Sequence, residues 1–236
     1  MKARFTLVLF DVDGTLVKPN SLSARCFERT LQNLCNWSID AEGWPMSGKT
    51  DPQIMRELLL ARGLSVAEAD ERLATALDIY VGLYLSALRR ERLEPCDGAR
   101  ELLARLETAD TIALSLLTGN MEPIVLPKLR SACLPAEAFL VGAYGSDNED
   151  RDHLPEIAAT RAGRALGKSF RPEDVLIVGD TPMDIDCARH YGAKTLAVAT
   201  GTYSLDDLDR CAPDYLTVDF DDREFLDGVF FHEHLD

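Results

Sequence analysis

Three short segments of the chain combine carboxylates, hydroxyls and glycines in patterns that could do chemistry. They read DVDGTL at 11–16, LTGN at 117–120 and VGDTPMD at 178–184. In the first segment, Asp11 and Asp13 stand two residues apart and follow an apolar run. Two acids at such a place are costly to bury unless they are paired or bind a metal. Carboxylate oxygens are the ligands that a hard cation such as Mg²⁺ prefers.

The second segment supplies groups that can hold phosphate oxygens. Thr118 offers a hydroxyl, and backbone N–H groups are exposed around Gly119 and Asn120. Taken alone, the same residues are also typical of an ordinary turn.

The third segment adds two more acids, Asp180 and Asp184, four residues apart around a predicted helix start. At that spacing both side chains can face the same way. Helix capping would explain one of these acids. Together with Asp11 and Asp13, however, they predict a cluster of four carboxylates, and such a cluster needs a cation.

Each of the three segments follows a predicted apolar strand. The predicted strands are 5–10, 112–117, 175–178, 194–199 and 215–218. From about residue 94 onward they alternate with helices predicted at 97–107, near 124–132, at 154–166 and over a segment that ends at 191. This alternation predicts an α/β fold, a Rossmann-like parallel sheet covered by helices on both faces. In such sheets ligands bind at the carboxyl edge of the strands, where the three segments would meet.

A helical block interrupts this alternation after the first strand. The periodicity of residues 17–91 is helical, with a predicted helix start at Asp51-Pro52, where Asp51 would be the cap, and a capping box from Ser65 to Glu68. The block is too long for an ordinary connection between strand and helix. It predicts an inserted helical domain at 17–91 and a core formed by 1–16 and 92–236. The alternative is that these helices extend the core layer.

The composition limits the partners. The 236-residue chain carries 25 Lys and Arg against 40 Asp and Glu, a net charge of −15. This balance argues against duplex DNA or a membrane surface as a main partner, because both require clustered basic residues. No apolar stretch approaches a membrane span, and the sequence predicts a cytoplasmic protein. The six scattered cysteines are expected to be free thiols.

The three segments, in this order after three strands, resemble motifs one, two and four of the haloacid dehalogenase superfamily. The inserted block resembles the C1 cap of that superfamily, and the closest likeness is to its phosphoglycolate phosphatase-like branch. The resemblance implies a Mg²⁺-dependent phosphatase in which Asp11 is the nucleophile and Asp13 the general acid and base. It implies metal ligation by Asp11, the backbone carbonyl of Asp13 and Asp180, with Asp184 as a ligand of the metal or of a metal-bound water.

The resemblance also implies a phosphate cradle and one basic residue. Thr118, Gly119 and Asn120 would form the substrate-binding loop. The family places a Lys, sometimes an Arg, ahead of motif four, and here the best match is Arg151. His153 and Arg161 are the alternatives, and Arg151 could instead be a solvated side chain of an acidic loop. In the turn at 48–51 of the predicted cap, Lys49 is a candidate substrate-binding residue, and the alternative is that it is a surface lysine.

The function predicted from these residues is hydrolysis of a small phosphomonoester, such as phosphoglycolate, a sugar phosphate or a nucleoside monophosphate. Two alternatives remain at this point. A phosphosugar mutase would keep the same core motifs, and a phosphate-binding regulator would have lost turnover. No nucleic-acid or membrane partner is expected, and the protein would be a monomer or a homodimer.

Overall fold

The centre of the molecule is a six-stranded parallel sheet. The computed structural model describes residues 3–41 and 43–232. Its strands are β1 (Leu7–Phe10), β2 (Ala113–Thr118), β3 (Gly142–Tyr144), β4 (Val175–Gly179), β5 (Lys194–Val198) and β6 (Tyr215–Thr217). The spatial order is β3-β2-β1-β4-β5-β6, and every pairing is parallel. The strand order therefore reverses at β1, and such a switch point opens a crevice at the carboxyl edge.

The two faces of the central strand bury different side chains. Val8 and Phe10 join the larger hydrophobic cluster, whereas Leu7 and Leu9 join a second cluster on the opposite face. All four side chains are fully buried. Side chains of a strand alternate between faces, and a continuous apolar run is what a sheet covered on both sides requires.

Nine α-helices accompany the sheet within the part of the chain that the structure describes. They are α1 (Leu22–Cys35), α2 (Asp51–Ala61), α3 (Val66–Leu88), α4 (Ala99–Glu107), α5 (Glu122–Ser131), α6 (Leu154–Leu166), α7 (Pro182–Tyr191), α8 (Leu205–Asp209) and α9 (Arg223–Phe230). The predicted α/β class with a parallel, helix-covered sheet is confirmed. Across residues 3–41 and 43–232, no helix has both the length and the apolar character needed to cross a bilayer.

Helices α1 and α2, which lie between β1 and α4 in the chain, each pack against α3. Phe27 of α1 stacks on Tyr80 of α3 with ring centroids 4.2 Å apart. Where the chain leaves and re-enters the core, Val17 pairs with Pro95 in a short antiparallel bridge. We refer to α1–α3 as the cap helices. The division of the chain into a cap at 17–91 and a core stays a prediction.

The helix starts differ from expectation in one place. The predicted capping box of α3 is present, with Ser65 and Glu68 each accepting from the other's backbone N–H. The prediction that Asp51 caps α2 is wrong, because Thr50 is the N-cap and its hydroxyl accepts from the backbone N–H of Gln53 at 3.2 Å. Asp51 is the first residue inside the helix, and its carboxylate bonds elsewhere.

Three short elements were not predicted, namely β3, α8 and α9. Each has eight residues or fewer. A strand as short as Gly142–Tyr144 gives too little periodicity to be distinguished from a loop.

The six cysteines are all free thiols, as predicted.

Candidate active site

Three buried carboxylates meet at the carboxyl edge of β1 and β4. Asp11, Asp180 and Asp184 each offer an oxygen, and these oxygens lie within 4.8 Å of one another. All three side chains are nearly or fully buried. Since the donors are carboxylate oxygens only, the cluster fits a hard divalent cation such as Mg²⁺.

The fourth predicted member of this cluster lies elsewhere. The carboxylate of Asp13 accepts hydrogen bonds from Lys128 Nζ, at 2.9 Å to Oδ1 and 2.7 Å to Oδ2. The expectation that four carboxylate side chains converge is therefore wrong, and three do. The physical reason is the ammonium group of Lys128, which provides Asp13 with a cation of its own.

Local backbone geometry places Asp180 and Asp184. Gly14 has a φ of +82°, and a Cβ at this residue would lie 2.3 Å from Asp180 Oδ2, so the turn after β1 needs glycine. Thr15 Oγ1 donates to Asp180 Oδ1 at 3.0 Å. Asp184 completes a capping box at the start of α7, where its Oδ2 accepts from the backbone N–H of Thr181 at 3.0 Å. Asp184 therefore both caps a helix and faces the cluster.

The guanidinium group of Arg151 pairs with two members of the three-carboxylate cluster, Asp11 and Asp184. Its Nη2 donates to Asp11 Oδ1 at 3.0 Å and also to Asp184, and the side chain is 7% exposed. Its Nη1 donates to the carbonyl of Gly48, in the turn that precedes the cap helix α2. The two alternatives lie away from the site. His153 is exposed beside Asp150, and Arg161 pairs with Asp147.

Burial shifts the protonation of the cluster. It raises the pKa of Asp11 to about 7, with Arg151 opposing the shift and Asp184 adding to it. Burial, and next the neighbouring Asp11, raise the pKa of Asp180 well above its usual range. A divalent cation would favour the anionic form of both groups. The residues that would hold it are Asp11, Asp180 and Asp184, together with the carbonyl of Asp13 that the resemblance implies.

The loop after β2 lies against the turn before α2. Thr118 is buried, and the carbonyl of Gly119 accepts from the backbone N–H of Asp51 at 2.7 Å. A Cβ at Gly119 would lie 2.3 Å from the carbonyl oxygen of Lys49, so this close approach needs glycine. Asn120 Nδ2 donates to Asp13 Oδ2 at 2.9 Å. The loop therefore connects the cap helices to the site.

Lys128 is a site residue that the sequence analysis missed. It lies on α5, is fully buried, and donates to Asn120 Oδ1 at 2.5 Å as well as to Asp13. Burial acts to lower its pKa, but Asp13, Tyr84 and Asp51 together outweigh this effect and raise the pKa of Lys128 above its usual value. A signal existed in the sequence, because Lys128 lies one helical turn from Ile124 and beside Leu129, on the buried face of α5.

A cavity of about 520 Å³ lies between the loops of the sheet edge and the cap helices. Asp11, Asp13 and Arg151 line it from the core, and Trp44 and Met46 are among the cap residues that line it. Lys49 also lines the cavity, as a substrate-binding residue must.

The charge of Lys49 is already partnered. Its Nζ donates to Glu57 Oε2 at 2.6 Å, and the Nε1 of Trp44 donates to the same oxygen at 3.4 Å. Gln53 Nε2 holds the other carboxylate oxygen of Glu57 at 3.0 Å. Glu57 thus fixes one cation and one aromatic ring at the cap side of the cavity.

Comparison with known proteins gives the family. Residues 8–198 match the haloacid dehalogenase-like hydrolase family. The chain belongs to this family. The predicted family and the prediction that the protein is an enzyme, a hydrolase, are thereby confirmed.

Individual relatives carry phosphatase names. This hydrolase is 28% identical over 203 residues to the phosphoglycolate phosphatase of Mesorhizobium japonicum, with 83% of each chain covered. It is 25% identical over 232 residues to the pyrophosphatase PpaX of Bacillus velezensis, covering 96% of this chain and 98% of that protein. The crystal structure of CbbY from Rhodobacter sphaeroides in complex with phosphate has a TM-score of 0.73 at 22% identity, and the match covers 94% of this chain and 99% of CbbY. This last likeness shows a shared fold.

A fourth buried acid, Asp51, leads to a prediction about pH. Asp51 Oδ2 accepts from the backbone N–H of Met121 at 2.8 Å, and Oδ1 accepts from Tyr80 Oη at 3.3 Å. Burial raises the pKa of Asp51 to about 7. The unfolded chain loses this proton near the ordinary value of 3.8, whereas the folded chain retains it up to about pH 7. The contribution of Asp51 to stability is therefore present below pH 4 and is lost as the pH rises toward 7.

We expect Asp51→Asn to remove this loss. Urea unfolding in the presence of EDTA gives the free energy of unfolding at pH 5 and at pH 8. Between these two pH values, the free energy of unfolding of the variant should decrease by roughly 1–4 kcal/mol less than that of the wild type. Asp78→Asn, at an exposed carboxylate of α3, is the matched control. An equal fall in Asp51→Asn and the wild type would contradict the prediction.

Proposed function

We propose that this hydrolase is a Mg²⁺-dependent phosphatase of small phosphorylated metabolites that acts through an aspartyl-phosphate. The single observation that carries the proposal is the setting of Asp11. Its carboxylate lies at the end of the central strand and lines the cavity, against Arg151 and beside the carboxylates of Asp180 and Asp184. This arrangement supplies a nucleophile and a cation at one point, and the oxygen ligands beside them fit a metal.

The chemistry follows from these residues. Asp11 attacks phosphorus, a bond forms between its oxygen and the phosphoryl group, and the bond to the leaving oxygen breaks. Asp13 gives a proton to that oxygen and afterwards takes one from the water that hydrolyses the aspartyl-phosphate. Splitting the reaction into two displacements is the benefit of covalent catalysis. Arg151 places positive charge beside the nucleophile, and Mg²⁺, when bound, supplies further charge to offset that of the phosphoryl oxygens.

The exposure of the two acids agrees with these roles. Asp11 is 5% exposed, as suits a nucleophile that reaches only the phosphoryl group at the floor of the cavity. The side chain of Asp13 is 37% exposed. It can therefore reach both a leaving oxygen and a water molecule.

In the second segment, Thr118 and the backbone around Gly119 would bind the phosphoryl oxygens.

The cap side of the cavity supports a compact substrate. Lys49 and Trp44, held by Glu57, face the space that the leaving group would occupy. Phosphoglycolate, sugar phosphates and nucleoside monophosphates are the substrate classes that we propose. The name of the relative PpaX adds pyrophosphate to the compounds that should be assayed. A cytoplasmic location and a monomeric or dimeric state stay predictions.

The test is phosphate release from a panel of these compounds and from p-nitrophenyl phosphate. We expect turnover with Mg²⁺ and a fall to background when EDTA removes the metal. Absence of Mg²⁺-dependent release across the whole panel would contradict the proposal, and would instead favour the phosphate-binding regulator. Adding a hexose 1-phosphate and measuring isomerised product against free phosphate separates a phosphatase from a mutase. We expect free phosphate.

A further inference from the structure

The feature that the proposed chemistry leaves unexplained is the buried ammonium group of Lys128. Three acceptor oxygens surround it, two from Asp13 and one from Asn120, at 2.9, 2.7 and 2.5 Å. An ammonium group has three N–H donors, so its hydrogen-bonding capacity is fully used by these oxygens. Lys128 has 0% exposure, whereas Asp13 is 37% exposed. Lys128 therefore lies behind Asp13 and is shielded from the cavity.

A cap helix contributes to the same arrangement. The Nζ of Lys128 lies 5.0 Å from the ring centroid of Tyr84, which belongs to α3. A cation over an aromatic face at this distance is attracted to the ring. Asp13, Asn120, Lys128 and Tyr84 come from four separate elements or loops, so the position of the ammonium group is set from several sides.

This geometry restricts the carboxylate of Asp13. Lys128 Nζ binds both of its oxygens, and Asn120 Nδ2 binds Oδ2 as well. A carboxylate held at both oxygens by groups that are themselves packed cannot rotate freely about its side-chain bonds. General acid and base catalysis requires the catalytic group to lie within hydrogen-bond reach of the proton it transfers.

We infer that Lys128 is a positioning residue, which holds Asp13 in the orientation that proton transfer to and from the substrate requires. Lys128 itself does not contact the substrate, because Asp13 and Asn120 cover it. The inference rests on the proposed function, in which Asp13 is the acid and base. It is separate from the binding of the phosphoryl group and from the attack by Asp11.

The test uses the dependence of the rate on the leaving group. In Lys128→Met the side chain keeps a similar length and can still pack against Tyr84, but Asp13 loses its anchor. We expect the single-turnover rate of the first displacement, followed as release of the alcohol, to fall about 10- to 100-fold for an alkyl phosphate, whose leaving oxygen needs a proton. For p-nitrophenyl phosphate, whose leaving group needs none, the same rate should fall within about threefold, because this step does not use the base function of Asp13. KM should change little for both substrates.

A double-mutant cycle separates positioning from a general structural effect. In the Asp13→Asn background, Lys128→Met should lower kcat for the alkyl phosphate no further, because the group that it positions is already gone. Arg130→Met removes an exposed cation from the same helix and is the matched control. It should retain wild-type kinetics.

Several results would overturn the inference. These are equal losses of the single-turnover rate for the two substrates, or additive losses in the double mutant. Should Lys128→Met fail to fold, Lys128→Gln retains one donor toward Asp13 and should give an intermediate loss with the same leaving-group dependence; a loss independent of the leaving group would again overturn the inference. An inactive wild type would count against the proposed function instead.

Discussion

Asp11→Asn is expected to lower kcat by at least about 10⁴-fold for every substrate that the wild type hydrolyses. The amide is a far weaker nucleophile than the carboxylate, so no covalent phosphoenzyme can form. Its carbonyl can still accept the hydrogen bond from Arg151, so we expect the fold to persist. Steady-state phosphate release measures kcat, and mass spectrometry of acid-quenched enzyme detects the phosphoryl group on the wild-type protein.

The control for Asp11→Asn is the same substitution at a distant acid. Asp110 is exposed and lies shortly before β2, at the opposite end of the sheet from the site. Asp110→Asn should retain wild-type activity. Substantial turnover by Asp11→Asn, or a phosphoryl group trapped on another residue, would show that Asp11 is not the nucleophile.

Arg151→Met is expected to act on both stability and rate. The substitution leaves Asp11 and Asp184 buried without their ion-pair partner. Breaking a buried ion pair in this way costs about 3–5 kcal/mol of the free energy of unfolding. We expect this cost in EDTA and a smaller one in Mg²⁺, because the metal ion would replace part of the lost positive charge. The loss of a preorganised donor near the phosphoryl group should lower kcat/KM by about 10²- to 10³-fold.

Two further variants make the prediction for Arg151 sharper. Arg151→Lys keeps the charge but loses the planar fork that reaches two carboxylates and the carbonyl of Gly48, so its loss should be intermediate. Arg161→Met removes an arginine of α6 that pairs with Asp147 away from the site, and it should keep wild-type kcat/KM within about threefold. Comparable losses in Arg151→Met and Arg161→Met would contradict the assignment of Arg151 to the site.

The comparison of expected and observed elements shows what local pattern can decide. Helix α6 spans Leu154–Leu166, the range that periodicity predicted, and strand β4 extends the predicted 175–178 by one residue. The order of strands and helices predicted a parallel sheet, and hence that the segments after β1, β2 and β4 would meet at one edge. This much follows because side-chain periodicity, capping and strand order are properties of neighbouring residues.

The acids of the first and third segments could also be singled out from the sequence, since their spacing after apolar strands is a local feature. Asp11, Asp180 and Asp184 do come together in the structure. For the basic residue, the sequence offered Arg151 with two alternatives. Only the fold separates them, because only Arg151 lies within hydrogen-bond distance of Asp11.

The sequence could indicate that Lys128 is buried, but it could not indicate that Asp13 is its partner. Lys128 is 115 residues away from it along the chain, and the two meet because the fold brings the side chain from α5 within hydrogen-bond distance of the loop after β1. The hydrogen-bond partner of Asp51 is also remote in sequence. Local pattern predicted that Asp51 caps α2, but its carboxylate instead accepts from the backbone N–H of Met121. The sequence by itself determined which residues can carry charge and which strands carry them to the edge of the sheet. The tertiary structure decided which charges neutralise one another, because the cost of burying a charge is offset by groups that are near in space and remote in sequence.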